Sequence, residues 1–573
     1  MLLPTALTLA NLPVLDFRDA ILFVVFTSLV THLIYKKYEI QPSSYLATFL
    51  LLVIVPFLSS SFLLEHFSSA NAAYTVGFAT YYTSIITSIA IYRLSPWHPL
   101  AKYPGPIAAK LSKLWIVYVI LKGDQLRVIN DLHRKYGPYV RTGPNELSIA
   151  EAELLPSILA PDMPRGPMWD GRRNPDAPPS LIASRSSKDH AAKRVPWTHA
   201  FSTASVREYQ PAIIRRASQL AEELEKRALA REDVNLVTYM TYFAFDFMGD
   251  MAFGGGFELL RDGDVNGLWQ MMVDRIDVIA WQMHLPWATR LLLKVPFATE
   301  AVVKFRNFAI QCATQRKLKG SHVKDLFYHL INEGHEDPST PPSEMSEVVV
   351  SGELAIVAGS DTTSTTLSGV FYYLLTNPAC YARLRAELDE AFPPGEGEPF
   401  DGTRLAELKY LNAIINETMR LQPAVPTGIQ RAPEKGTGGK WIGNNFLTEG
   451  TAVNVPPYVL HRDPRYFSPA TETFWPDRWL TSSSRDYSLI GLEKGSSPVI
   501  TNTSAFIPFS MGHAICAGKN LALAEMRLVI ALLMQKFDLN FAKGYDPRRW
   551  EAEMVDLFVM KPSELPVALK LRG

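Results

Sequence analysis

In the stretch "FSMGHAICAG", Phe509 to Gly518, one cysteine sits in a glycine-rich turn directly before the helical run "KNLALAEMRLVIALLM". A thiolate is a strong nucleophile and a soft metal ligand, and the amides and dipole at a helix N-terminus favour it over the thiol. The position therefore predicts an anionic sulfur at Cys516, with Gly512 permitting the tight turn and Gly518 letting backbone approach a large flat ligand. Cys312, in "FAIQCATQ", and Cys380, in "NPACYARL", lack that setting and read as small buried hydrophobes. A second candidate is "AGSDTT", Ala358 to Thr363, inside a long apolar run. An acid and hydroxyls there are costly unless satisfied or used, so Asp361 and Thr362 either handle protons or bond back to the helix's own carbonyls. In "NETMRLQP", Glu417 and Arg420 stand three apart on one helical face, a spacing that by itself describes a surface ion pair.

The chain is long enough to hold such groups in place. Its 573 residues are 47% hydrophobic and 20% charged, which suffices for a large core. A formal net charge of +0 offers no electrostatic basis for a nucleic-acid partner. Three scattered cysteines are too few for a disulfide framework and fit a reducing compartment. Periodicity predicts helices over "PAIIRRASQLAEELEKRALA", "MSEVVVSGELAIVAGSDTTSTTLSGVFYYLLT", "PACYARLRAELDEAF" and "LAEMRLVIALLMQKF", and strands or extended segments over "YVRTGPNELSI" and "TAVNVPPYVL". From Leu111 onward there is no internal repeat and no second linker, so one mainly helical unit with a minor sheet is expected.

The first hundred residues are different. Ala20 to Tyr35, Tyr45 to Leu64 and Ala72 to Tyr92 contain no Asp, Glu, Lys or Arg. A bilayer span needs about 20 residues, so up to three transmembrane segments are expected, the third rich in Thr, Ser and Tyr. Lys36, Lys37, Arg93 and Lys102 follow the first and third segments, which under the positive-inside rule leaves the N-terminus lumenal and the rest cytosolic. "SPWHPLAKYPGP", Ser95 to Pro106, carries four prolines and reads as a stiff non-helical connector.

The cysteine loop resembles the haem-binding loop of the cytochrome P-450 family, which runs Phe, two residues, Gly, three residues, Cys, one residue, Gly. Phe509, Gly512, Cys516 and Gly518 match in identity and spacing. Other motifs follow in family order: the "YPGP" hinge, His190 and Arg194 in "HAAKR", the "AGSDTT" helix, the Glu417 helix, Arg431 in "GIQRAP" and Arg478 in "FWPDRW". The resemblance implies that Cys516 is the proximal thiolate ligand of a haem b iron. It implies that Ala358 and Gly359 open backbone beside the iron, that Thr362 hydrogen-bonds dioxygen or its water, and that Asp361 relays protons. His190, Arg194 and Arg431 would meet the haem propionates, while Glu417, Arg420 and Arg478 would form a buried structural network, with Asp477 in place of the family's more usual Glu. Ala514 stands where the family usually has a further Arg or His for a propionate, and His513 lies one place earlier.

The implied architecture is a mainly α cytochrome P-450 fold with a small β lobe, preceded by N-terminal transmembrane helices. Residues 1–95 would form the membrane anchor and 96–573 the haem-thiolate monooxygenase domain, of the fungal microsomal type, at the endoplasmic reticulum membrane and facing the cytosol. The implied activity hydroxylates or epoxidises a hydrophobic small molecule in secondary metabolism, for example a terpenoid. It uses dioxygen and electrons from NADPH through a separate cytochrome reductase, because the sequence holds no flavin or nicotinamide fingerprint. Lys519, Lys193 and Arg527 are the expected docking cations. Substrate selection is expected from the loop before Arg194, the Trp281 to Phe297 region, the residues before Ala358, and Ala424 to Ile429. Two other readings remain: a haem-thiolate isomerase or dehydratase that uses no dioxygen, and a non-catalytic membrane haem-binding protein.

Overall fold

The computed structural model describes residues 15–38, 45–173, 177–292, 296–320, 324–333, 342–493 and 498–572. It divides into two compact units, Met1–Ser112 and Lys113–Gly573. In the first, three apolar runs form helices: α1 (Phe17–Lys37), α2 (Tyr45–His66, with a π-helical stretch at Leu50–Ile54) and α3 (Ala70–Leu94). Their packing mixes small polar groups with a buried apolar cluster of Ala20, Val24, Leu63, Ala73 and Tyr81, and leaves many large apolar side chains outside. Ser28, Thr31, Ser59 and Ser60 are buried, while Leu22, Phe26, Leu33, Leu46, Ile86 and Ile91 are exposed. That is how helices associate in lipid, where close-packed small residues and interhelical hydrogen bonds replace the hydrophobic effect. The Tyr81 hydroxyl lies 2.6 Å from the Thr31 hydroxyl and donates to the Leu51 carbonyl at 2.8 Å, tying the three helices together. A Cβ on Gly77 would stand 2.0 Å from the Ser60 hydroxyl, so glycine is what lets α3 approach α2. Among the described residues, α1 and α2 are the helices long and apolar enough to cross a membrane. The third expected span folds as a 25-residue helix but is not one of these two, its Thr, Ser and Tyr content lowering its hydropathy.

The second unit is built around one long buried helix. Principal elements in chain order are β1 (Tyr139–Gly143), β2 (Glu146–Ile149), α4 (Met168–Arg172), α5 (Ser187–Ala200), α6 (Gln210–Ala230), α7 (Leu236–Phe253), α8 (Leu268–Gln282), α9 (Pro296–Lys319), α10 (Met345–Thr376), α11 (Pro378–Ala391), α12 (Lys409–Leu421), β3 (Ala452–Asn454), α13 (Lys519–Lys536), β4 (Phe537–Phe541), β5 (Val555–Leu557), β6 (Val559–Lys561) and β7 (Pro566–Leu571). Helix α10 is apolar nearly all round and packs most extensively against α7, as a helix without a polar face must. The strands are short: β1 pairs antiparallel with β2, β2 pairs parallel with β3, β4 pairs antiparallel with β7, and β5 with β6 form a hairpin. "TAVNVPPYVL" is extended only over β3. Pro456 and Pro457 then start the short helix Pro457–Leu460, because proline's fixed φ suits a first helical turn.

The Glu417–Arg420 pair lies not on the surface but at the bottom of the core, where both side chains and Arg478 are at most 1% exposed. Glu417 accepts from Arg420 Nε and Nη2 at 2.9 and 2.8 Å, Arg478 Nε at 3.1 Å, the Trp475 amide at 3.0 Å and Trp479 Nε1 at 2.9 Å. Arg420 also donates to the carbonyls of His461, Thr471 and Thr473. His461 Nε2 in turn accepts from the Ile507 amide at 3.0 Å, which carries the network to the start of the cysteine loop. Burial alone would raise the Glu417 carboxyl, but Arg420 and Arg478 hold it at about 2, below its ordinary 4.5. Removing one partner of such a buried set costs about 3–5 kcal/mol, so Glu417→Leu is expected to lower the unfolding midpoint of the purified protein sharply. A depressed carboxylate stabilises fully above its unfolded pKa. In wild type the Glu417 contribution is therefore complete above pH 4.5 and fades as pH falls toward 2, and Glu417→Leu should lack this component in an acid titration of stability.

Candidate active site

The loop before α13 wraps one end of a cavity of about 260 Å³. Phe509, Ser510, Ala514, Cys516 and Gly518 all line it. The turn closes through the Cys516 amide, which donates to the Phe509 carbonyl at 2.9 Å. Gly512 adopts φ +72° with a Cβ position 2.9 Å from the Leu159 carbonyl, so both its conformation and its neighbours require glycine. Gly518 differs: a Cβ there meets nothing within 4 Å, and what glycine leaves clear is the cavity itself. The sulfur's exposure is to this cavity. Burial among protein atoms pushes the Cys516 thiol up, against the Gly518 amide, Arg194 and Lys519, which pull it down. At this sulfur, desolvation opposes the helix end and the two cations.

Helix α10 supplies another wall through Leu354, Ala355, Val357, Ala358, Gly359 and Thr362. The Thr362 hydroxyl donates to the Ala358 carbonyl at 2.7 Å, which leaves its oxygen as an acceptor toward the cavity. Asp361, one residue earlier, does not line the cavity. Its carboxyl makes no hydrogen bond among the described residues, and burial raises it to about 7 against the pull of Arg172. The helix is not opened at Gly359; it is continuous α through that position. A Cβ on Gly359 would lie 2.5 Å from Met248 Sδ, so this glycine lets α7 pack close. The apolar stretch 424–429 also reaches the cavity, through Ala424, Val425, Gly428 and Ile429. In the Trp281 to Phe297 region, Met283 is buried and Trp287 exposed, while residues 293–295 and the side chains of 290–299 lie outside the described residues.

A ring of cations surrounds one edge of the cavity. Arg194 Nη1 donates to the Ile515 carbonyl at 2.7 Å, and the rings of His190 and His513 meet edge-on at 5.5 Å. Arg431 does not line the cavity but is buried behind it, and a backbone bridge pairs it with Arg165, which does. Arg165 escapes sequence reading, because what brings it to the site is this bridge to a strand far along the chain. Burial, together with Arg431 and Arg194, holds the Arg165 guanidinium well below its usual range. Arg165 Nη1 and Arg431 Nε and Nη2 are buried without a partner. Guanidiniums this close, with unused donors and no carboxylate among them, are complementary to an anion. Glu525 on α13 also lines the cavity, and burial raises its carboxyl well above the usual range.

The profile of cytochrome P450 proteins matches residues 104–569. The chain belongs to the cytochrome P450 family. It is 32% identical over 494 residues to a cytochrome P450 monooxygenase, FCK2, of Fusarium pseudograminearum, covering 85% of each chain. It is 33% identical over 503 residues to tryprostatin B 6-hydroxylase of Aspergillus fumigatus, covering 86% of this chain and 84% of that one. The crystal structure of the cytochrome P450DA haem domain superposes with a TM-score of 0.65 at 18% identity, over 80% of this chain and 95% of that one, a likeness of fold. As a member of this family the chain is a monooxygenase with a thiolate-ligated haem. The residues present fit that group: a cysteine facing a cavity that Gly518 leaves clear, and unpaired guanidinium donors at its edge for two propionates. Arg165 lines the cavity, as does Ala514, which is 5% exposed. Of the three expected docking cations, Lys193 is paired with Glu347 and Arg527 Nε donates to Asn412 at 2.8 Å, while Lys519 is exposed, its Nζ 5.9 Å from the Phe509 ring centre. Losing a charge-assisted hydrogen bond costs enough to speed dissociation about ten-fold. Arg165→Leu is expected to accelerate haem transfer to apomyoglobin by about that factor, and an unchanged rate would remove Arg165 from the propionate ring.

Proposed function

We propose that this cytochrome P450 hydroxylates or epoxidises a hydrophobic small molecule in fungal secondary metabolism, drawing electrons from NADPH through a separate membrane-bound reductase. The observation that carries this reading is one cavity lined by Cys516, Ala358 and Thr362 together with the apolar side chains of Ile182, Val357, Val425, Ile429 and Val559. The tryprostatin B 6-hydroxylase relative supports hydroxylation as the reaction class. Haem b is the prosthetic group we assign, with residues 96–573 as the catalytic domain. Residues 1–95 anchor it to the endoplasmic reticulum membrane, and the two apolar helices α1 and α2 support the anchoring.

In this reading Cys516 would hold the iron, Arg194, Arg165 and Arg431 would neutralise the propionates, and His190 would hydrogen-bond to them. When bound, haem supplies the redox chemistry that activates dioxygen, one atom going to the substrate and the other to water. Thr362 offers its hydroxyl oxygen to the cavity and orients water there. Asp361, poised near neutrality, takes a proton from the solvent side and passes it toward Thr362 through water. The apolar walls exclude bulk water and hold the substrate by surface burial.

A reduced carbon-monoxide difference spectrum of the protein in microsomal membranes is expected to show the red-shifted Soret band of thiolate ligation, and Cys516→Ala to lack it. A histidine-type spectrum in wild type would overturn the assignment. Thr362→Ala is expected to retain haem while diverting NADPH to peroxide. Asp361 is protonated below about pH 7 and ionised above it, so coupled turnover should decline as pH rises through that value. Asp361→Asn should flatten this profile; an identical profile in the variant would take Asp361 out of the relay.

A further inference from the structure

The charged groups lining the haem cavity fall into separate sets. Arg165, Arg194 and His190 belong to the ring described above, and Glu525 stands on α13. Arg172, on α4, stands apart. Its guanidinium carbon lies 5.6 Å from the Trp169 ring centre and 4.7 Å from that of Phe558, and those two rings meet edge-on at 5.5 Å. Phe558 is fixed at the tip of the β5–β6 turn with φ 80°, its amide donating to Asp556 at 2.9 Å. The guanidinium is thus pre-positioned by aromatic faces, yet among the described residues it makes no hydrogen bond and no ion pair.

A second cavity of about 100 Å³ adjoins the first, sharing Arg172, Ile182, Leu354 and Val357 with it. Arg173, Arg275 and Arg306 also line this second space, against one carboxylate, Glu353. Glu353 is already engaged, receiving Arg306 Nε and Nη2 at 3.2 and 3.1 Å, with Arg275 at 4.0 Å. The other nearby acid, Asp361, is raised to about 7 by burial and forms no ion pair with Arg172. Described cations therefore outnumber described acids around Arg172. Arg172 is partly exposed, and a guanidinium facing a cavity without a full counter-charge among the described residues is complementary to a bound anion.

We propose that Arg172 anchors an anionic group, tested here as a carboxylate, on an otherwise hydrophobic substrate whose apolar body extends past Ile182 and Val357 toward Thr362. The substrate class is then an amphipathic acid, with its charged end in the arginine-lined second cavity. This rests on the monooxygenase reading, from which it is separable, since the carbon-monoxide spectrum reports haem and cysteine whether or not acids are preferred.

The test is spectral titration of the haem-loaded, full-length protein with two matched series: lauric acid, methyl laurate and laurylamine, and dehydroabietic acid, its methyl ester and dehydroabietylamine. A charge-assisted contact in a water-poor site is worth about ten-fold or more in affinity. Wild type should bind the acid of at least one series about ten-fold more tightly than its ester, with the amine weakest. Arg172→Met should erase that preference while leaving the ester's affinity unchanged, and Arg172→Lys should restore part of it. Equal binding of acid and ester, binding of neither, or a preference that survives Arg172→Met would each overturn the proposal. Absence of the thiolate-type spectrum in wild type would instead bring down the monooxygenase reading.

Discussion

One buried carboxylate organises the catalytic unit. Glu417 accepts five hydrogen bonds, two from Arg420 and one each from Arg478, the Trp475 amide and Trp479 Nε1. None of the three charged side chains reaches water, so each is affordable only because the others are in place. The consequence is geometric. Arg420 and Arg478 also donate to the carbonyls of residues 461, 469–471 and 473, fixing the irregular turn that follows the short strand Phe467–Ser468. His461, kept neutral by burial and by Arg420 and Arg462, then accepts the Ile507 amide and fixes where the cysteine loop begins.

From that fixed point the cysteine site is an electrostatic balance. The sulfur is held where desolvation opposes its ionisation, and the Arg165, Arg194 and Arg431 guanidiniums are held where desolvation opposes theirs, with repulsion from Arg431 and Arg194 adding at Arg165. Neither set is relaxed by the protein alone. An iron that ligates the sulfur and a pair of propionates that meets the guanidiniums relieve both at once, which makes the site selective for a ligand carrying a cationic centre and anionic edges together. His190, pushed down to about 4 by burial and by Arg165, contributes to this ring as a neutral hydrogen-bonding group.

How much of this was legible in the sequence depends on how local each signal is. Helix α10 spans Met345–Thr376, the boundaries read from its apolar run, because a helix buried on all sides announces itself by composition. The cysteine turn was legible because Gly512 answers a backbone need that only glycine meets cheaply. Arg165 was not, since its place depends on a bridge to Arg431 across the β lobe, and no local pattern encodes such a pairing. Gly359 misled: a glycine beside a hydroxyl pair suggested an opened helix, whereas the missing side chain makes room for Met248. At Cys516 the sequence shows the helix end that favours the thiolate and hides the burial that opposes it.

Three buried acids show how partner number, rather than residue type, assigns a role. Glu417 has two guanidiniums in direct contact and is held at about 2, so it is a permanent anion and a structural pin. Asp361 feels one guanidinium that does not reach hydrogen-bonding distance and is raised to about 7, where it exchanges protons readily under ordinary conditions. Glu525 has no charged partner among the described residues and is raised well above the carboxylate range beside the cysteine loop. Desolvation acts on all three in the same direction, and only the opposing guanidinium differs. The spacing of arginines around each acid thus sets how far each carboxyl departs from its ordinary range. Of the three, Asp361 alone exchanges its proton near neutral pH while adjoining a hydroxyl that faces the cavity.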